Sequence, residues 1–171
     1  MAPENQVAVS RRIEAPAAEL FAILADPRRH TELDGSGMLR GAVTETPVTG
    51  VGDVFVVRMY YLPVGGDYQM NNHVVEYQQD RLIAWEPESG KGHPAEATPE
   101  ARWGQRWSYE LTPEGTDATV VTHRYDCSRV SADGQAQLAG GRIWVDAMAE
   151  TLRRLDERVR ADRRVGEQQL A

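Results

Sequence analysis

The feature that most limits how this chain can fold is a change of hydrophobic period along it. Between Met38 and Asp126 apolar residues recur at every second position in six short runs: Met38 to Thr46, Asp53 to Tyr61, Tyr68 to Tyr77, Arg81 to Glu86, Arg102 to Leu111 and Ala118 to Asp126. Period two is the mark of strands with one buried face. Most of the breaks between them ("PVTGVG", "PVGG", "QQD", "TPEGTD") are short and rich in Gly, Pro and Asp, so successive strands should join as an antiparallel meander. From Gly140 to about Arg163 the period becomes helical, with Trp144, Met148, Thr151, Leu152, Leu155 and Val159 on one stripe. A long amphipathic helix is predicted there.

Ahead of the meander, "NQVAVSRRI" (Asn5 to Ile13) reads as a first strand. "APAAELFAILADP" then switches period: Pro16 suits a helix start, Leu20, Phe21 and Leu24 share a face, and Asp26-Pro27 stops it. One long break, "PESGKGHPAEATPEA" from Pro87 to Ala101, has no clear period and is predicted to be an irregular lid. Residues 1–165 should form one domain and 166–171 a frayed tail.

Composition removes several function classes. A formal net charge of -7 lacks the excess of Lys and Arg that a nucleic-acid footprint needs. The arginines of "RRLDERVRADRR" are interrupted by acids, as on a solvated helix face. Cys127 is the only cysteine, which rules out an intrachain disulfide and a cysteine-rich metal site. No apolar run suits a membrane span, and the N-terminus has no basic start followed by an apolar block, so a cytoplasmic location is expected.

The order strand, short helix, six strands, long helix, with "APAAELFAILADPRRHTELDG", "VVEYQQDRLIAWE" and "YELTPEGTDATVVTHRYD" in their places, resembles the START-like helix-grip superfamily, and within it the polyketide cyclase/dehydrase branch of bacteria. The resemblance covers nearly the whole chain. It implies an α+β helix-grip fold: a curved seven-stranded antiparallel sheet wrapped around the C-terminal helix, one or two short helices after the first strand, and a deep cavity between sheet and helix. It carries no catalytic signature, and the superfamily includes lipid carriers, receptors, aromatases and chaperone activators.

Strand alternation nominates the cavity wall. Trp103, Gln105, Trp107, Tyr109 and Leu111 share one face of their run, as do Thr119, Val121, His123 and Tyr125. Phe55, Val57, Met59 and Tyr61 form a third inward set, joined by Ile83 and Trp85. Glu76 marks an outer face, and counting back from it by twos turns Asn71, His73, Val75 and Tyr77 inward, although a strand-end bulge would exchange Asn71 with its neighbour Asn72. Trp144 and Met148 come from the helix. An ordinary core would seldom hold so many polar groups, each costing about 1–3 kcal/mol if unsatisfied. Apolar walls with a few converging polar groups describe a ligand pocket.

The expected ligand is a mostly apolar, oxygen-bearing small molecule such as a polyketide or lipid. By resemblance the expected chemistry is cyclisation or dehydration through orientation, with His123 or His73 as general base and Tyr125, Tyr61, Asn71 or Gln105 donating to an enolate oxygen. No cofactor or metal is called for. His30, Glu32 and Asp34 in "HTELD" form the one dense metal-ligand candidate, in a segment where turns commonly collect such residues. Two rivals stand beside catalysis: a non-catalytic carrier or sensor, and an interaction module like the chaperone activators. The chain could also pair as a homodimer.

Overall fold

A computed structural model describes residues 4–171. The strands are β1 (Gln6–Ile13), β2 (Leu39–Ala42), β3 (Val54–Tyr61), β4 (Gly66–Gln78), β5 (Leu82–Ser89), β6 (Arg106–Glu114) and β7 (Ala118–Asp126). They form one antiparallel sheet in the order β1-β7-β6-β5-β4-β3-β2. Apart from β1, neighbours in sequence are neighbours in space, as the short breaks predict. β1 closes the other edge by pairing with β7, Val9 opposite His123.

Between β1 and β2 lie α1 (Ala17–Leu24), a 3-10 turn at Pro27–Arg29 and α2 (His30–Leu33). α1 buries Ala17, Leu20, Phe21, Ile23 and Leu24, a face too wide for an exposed helix of this length. Asp26 ends it and begins the next turn: its carboxylate accepts from the Arg28 backbone N–H at 3.0 Å and pairs with the Arg28 guanidinium at 2.7 Å. Beyond α2 the chain crosses directly over the long helix. A Cβ on Gly35 would lie 2.3 Å from the Ala147 carbonyl oxygen, so only glycine permits the crossing, and the Gly35 N–H donates to Thr151 Oγ1.

After β7 come α3 (Ala132–Gln137), a 3-10 segment at Ala139–Trp144 and α4 (Val145–Leu170). α4 packs Met148, Thr151, Leu152, Leu155, Asp156 and Val159 inward, the predicted stripe with one buried acid added. That acid is neutralised where it sits, by Arg160 at 2.7 Å and by Arg11 of β1 at 2.9 Å, which ties the helix to the sheet edge. Residues 166–170, expected to fray, continue the helix, with their side chains exposed.

Three departures from the expected strands bear on the site, while β2 is also shorter than expected, ending at Ala42. β5 runs on through Pro87, Glu88 and Ser89, taking the first residues of the predicted lid. β6 begins at Arg106, because Gly104 at φ +100° turns the chain and its Cα lies against the Arg129 backbone, leaving Trp103 and Gln105 on a loop. β4 carries a bulge against β5 between Val74 and Glu76. One extra residue reverses the facing of everything before it.

Candidate functional site

The concave face of the sheet and α4 enclose a cavity of about 590 Å³. Its wall is mainly aromatic and aliphatic, drawn from β3 to β7, α2, α3, α4 and the loops between them. Three exposed lining residues, Tyr61, Trp103 and Ile143, mark the mouth, and near Trp103 the pairing of β5 with β6 lasts only from Leu82 to Trp85. Beyond Trp85 the strands part, and the chain between Gly90 and Gln105 fills the space. That segment is tied down rather than loose: the Ser89 N–H donates to the Ala101 carbonyl at 2.7 Å and the Gln69 N–H to that of Lys91 at 2.8 Å. His93, from its middle, meets Tyr68 edge to face, and both line the cavity.

Most residues nominated by alternation reach this wall: Met59, Tyr61, Trp85, Trp103, Gln105, Trp107, Tyr109 and His123, with Trp144 and Met148 of the helix region. Trp103 stands at the mouth, 41% exposed. Ile83, Leu111, Val121 and Tyr77 pack in the core beside the cavity, and three of the residues given a binding or catalytic role, His73, Asn71 and Tyr125, are placed elsewhere.

His73 and Asn71 are the first two corrections. The bulge at Val75 puts Tyr68, Met70, Asn72 and Val74 on the inner side of β4 and leaves Asn71 and His73 on the outer. Asn71 reaches towards Glu88 at 3.4 Å, and His73 Nε2 lies 3.4 Å from the same carboxylate. Tyr125 is the third. It points inward as predicted but is wholly buried in a second core with Cys127, Val130, Leu138 and Met148. Gly141 packs so close that a Cβ there would come within 2.8 Å of its ring. The phenol donates at 2.5 Å to Gln105 Oε1, so Tyr125 supports a wall residue and does not itself meet the cavity.

His123 is held tightly. Its ring stacks on Tyr109 with centroids 4.1 Å apart and on Trp107 at 5.4 Å. Nδ1 lies 3.0 Å from the Ser108 carbonyl oxygen. A carbonyl can only accept, so Nδ1 carries the proton and Nε2 presents a lone pair. Burial pushes the imidazole down to about 4, against the opposing pull of that hydrogen bond, and nearby His30 pushes the same way. At neutral pH the ring is an uncharged acceptor.

His30 was considered only as a metal ligand, yet it lines the cavity. Its Nε2 donates to the Leu24 carbonyl at 2.7 Å, by the same logic leaving Nδ1 as acceptor, and burial lowers its pKa. The other members of that cluster are engaged separately, Glu32 with Arg29 and Asp34 with Ser36 and the Leu39 N–H. Asn72, the alternative to Asn71 should a bulge exchange the pair, is the one that faces inward, and its Nδ2 donates to the Phe55 carbonyl at 3.2 Å. The apolar parity of Tyr68, Met70 and Val74 was the signal that could have chosen it. Burial pushes the Tyr68 phenol up to about 12 and raises Tyr109 and Tyr125 as well, so all three stay protonated donors.

The outer face where β5 and β6 part is ionic. Glu86 accepts from Arg102 at 2.9 Å, Arg106 at 2.9 Å and Arg129. Burial acts to raise the carboxyl, but these three guanidiniums hold it at about 2. The cluster clasps the two loops flanking the mouth to the sheet.

Comparison with known proteins agrees with this architecture. A protein of 38% identity over 120 residues is the uncharacterized Rv0088 of Mycobacterium tuberculosis; the match takes in 69% of this chain and 46% of that protein, so the chain spans about half the length of its curated relative. The solution structure of a protein from Arthrobacter aurescens superposes with a TM-score of 0.68 at 16% identity, over 92% of this chain and 87% of the other. DynU16, a protein of the dynemicin biosynthetic locus, gives 0.56 at 21% identity, over 90% of this chain and 48% of that one. No helix among the described residues is long and apolar enough to cross a membrane. The family described as polyketide cyclase / dehydrase and lipid transport matches residues 5–160, nearly the whole sheet, cavity and grip helix, and the chain belongs to that family.

Proposed function

We propose that the protein binds a mostly apolar, oxygen-bearing small molecule in the cavity and orients it for cyclisation or dehydration. The observation that carries this reading is the open Nε2 of His123 in an otherwise aromatic cavity large enough for a fused-ring ligand. Family membership favours a polyketide among such ligands.

Most of the rate would come from containment, since holding an enol carbon against a carbonyl supplies the orientation that intramolecular condensation needs. His123 would take the proton from a carbon flanked by two carbonyls. It is always free to accept at neutral pH, but a base with a pKa near 4 has limited driving force. Tyr109, Tyr61 and the Gln105 amide, which Tyr125 holds in place, are the available donors for the developing enolate oxygen.

His123→Gln should lower turnover of a linear poly-β-ketone at least about a hundredfold while changing its binding little. If affinity falls and turnover of the bound substrate does not, His123 is a binding residue only. The low basicity of His123 favours one rival, carriage without turnover. Native protein that retains a small molecule through purification, seen by native mass spectrometry, but turns over no poly-carbonyl compound would establish the carrier.

A further inference from the structure

Three polar side chains of the cavity wall share one arrangement. His30, Asn72 and His123 each spend a donor on a main-chain carbonyl, of Leu24, Phe55 and Ser108 respectively. Because a carbonyl cannot donate, the orientation of each is forced, and each keeps an acceptor: His30 Nδ1, His123 Nε2 and Asn72 Oδ1, the last beside a second amide N–H. None of these atoms is bonded within the protein and none is sealed from the cavity space. An unbroken series of ring contacts, from His30 to Phe55, Trp85, Tyr109 and His123, joins the two imidazoles along one wall.

Charge is equally one-sided. Neither lysine nor arginine lines the cavity, and the one carboxylate that does is Asp34. A ligand carboxylate, sulfate or phosphate would lose its water and find no cation to replace it. Burial lowers the pKa of both histidines, against the pull of Asp26 and Asp34 on His30 and with a push from His30 on His123, so they do not supply one.

We infer that the cavity selects an uncharged aromatic ligand that bears at least two hydroxyl donors, phenolic or enolic, and rejects free acids. This rests on the reading of the cavity as a binding site and states what that site recognises. A hydroxyl facing each acceptor completes a hydrogen bond that an ether or a ketone at the same place leaves unmade. A free acid meets only neutral donors such as the Tyr109 phenol and the Gln105 amide, with no cation to offset its desolvation.

The test is calorimetric titration of the native protein with a set of naphthalenediols, their dimethyl ethers, and naphthoate. The best diol should bind at least about tenfold more tightly than its ether, the sum of two modest hydrogen bonds, and naphthoate more weakly still. His30→Phe and Asn72→Leu, which keep bulk and remove the acceptors, should each shrink the diol-over-ether ratio about threefold or more and leave ether affinity within about twofold. Equal binding of diol and ether, or tighter binding of naphthoate, overturns the inference and leaves the cavity reading standing. Failure of every probe, ethers included, to bind the native protein overturns both. The native comparison decides the matter even if a variant does not fold.

Discussion

The two faces of the sheet treat polar groups in opposite ways. On the outer face charge meets charge: Glu86 holds Arg102, Arg106 and Arg129, and Glu110 pairs with Arg124. On the inner face His30, Asn72 and His123 meet only the main chain, and each keeps one atom free. Ion pairs at a wet surface close on themselves and need nothing further. Polar groups half-satisfied by backbone carbonyls in an aromatic cavity still lack a partner, and that is the physical signature of a site built for something else to enter.

The sharpest way to break this contrast is by acid, because the two faces should fail in different windows. His123 falls from an ordinary value of 6.5 to about 4 on folding. The unfolded chain therefore takes up a proton that the folded one refuses, so this contribution is fully present above pH 6.5 and is lost as pH falls towards 4, on the order of 3 kcal/mol. Denaturant unfolding of His123→Gln across that window should have a visibly shallower slope, the remainder belonging to His30 and His93, which burial also lowers. A variant that retained the native slope would place the titration elsewhere.

Glu86 should act lower. Its pKa is depressed from 4.5 to about 2, so its contribution is complete above pH 4.5 and disappears as pH drops through 2. Glu86→Gln should cost about 2 kcal/mol at neutral pH, towards the low side for a multiply bonded carboxylate because its arginine partners are partly exposed. It should also flatten only the lower window. Urea melts at neutral pH and at pH 3 would show it, and an unchanged midpoint at neutral pH would mean the clasp is ornamental to stability.

A smaller effect is expected at the mouth. Trp103→Ala removes a ring that is 41% exposed, so stability should stay within about 0.5 kcal/mol while ligand release quickens about three- to tenfold. Stopped-flow release of a bound naphthalenediol measures this directly; a release rate equal to the native one would take Trp103 out of the gate. The smallest effect belongs to His73→Gln. It should shift stability by less than about 0.5 kcal/mol and leave diol affinity unchanged, and a loss of affinity would reverse the assignment of faces on β4.

These two histidines also show how far the sequence can be read. β7 alternates without interruption between β1 and β6, so Thr119, Val121 and His123 are inward both by parity and in space. β3 behaves the same way, and its inward set, Phe55, Val57, Met59 and Tyr61, lines the cavity as expected. β4 defeats a parity count begun at Glu76 because the bulge lies between that marker and the site, whereas the apolar residues on the near side, Tyr68, Met70 and Val74, keep correct parity. Order of elements, long helix and cavity were legible because period and turn chemistry are local properties. His30 was not: its place on the wall depends on Gly35 crossing α4 and on the Leu24 carbonyl, contacts that no spacing reveals. Tyr125 was legible as inward yet misjudged as accessible, since the close approach of Gly141 covers it.

The most direct test of the account is nitrogen-15 NMR of the histidine rings, recorded across pH with and without a naphthalenediol. The account predicts that His123 carries its proton on Nδ1 alone and stays neutral until pH approaches 4, and that its Nε2 resonance moves on adding the diol while His73 does not respond. A His123 ring already doubly protonated at pH 6, or a diol that shifts His73 and leaves His123 Nε2 unmoved, would contradict it.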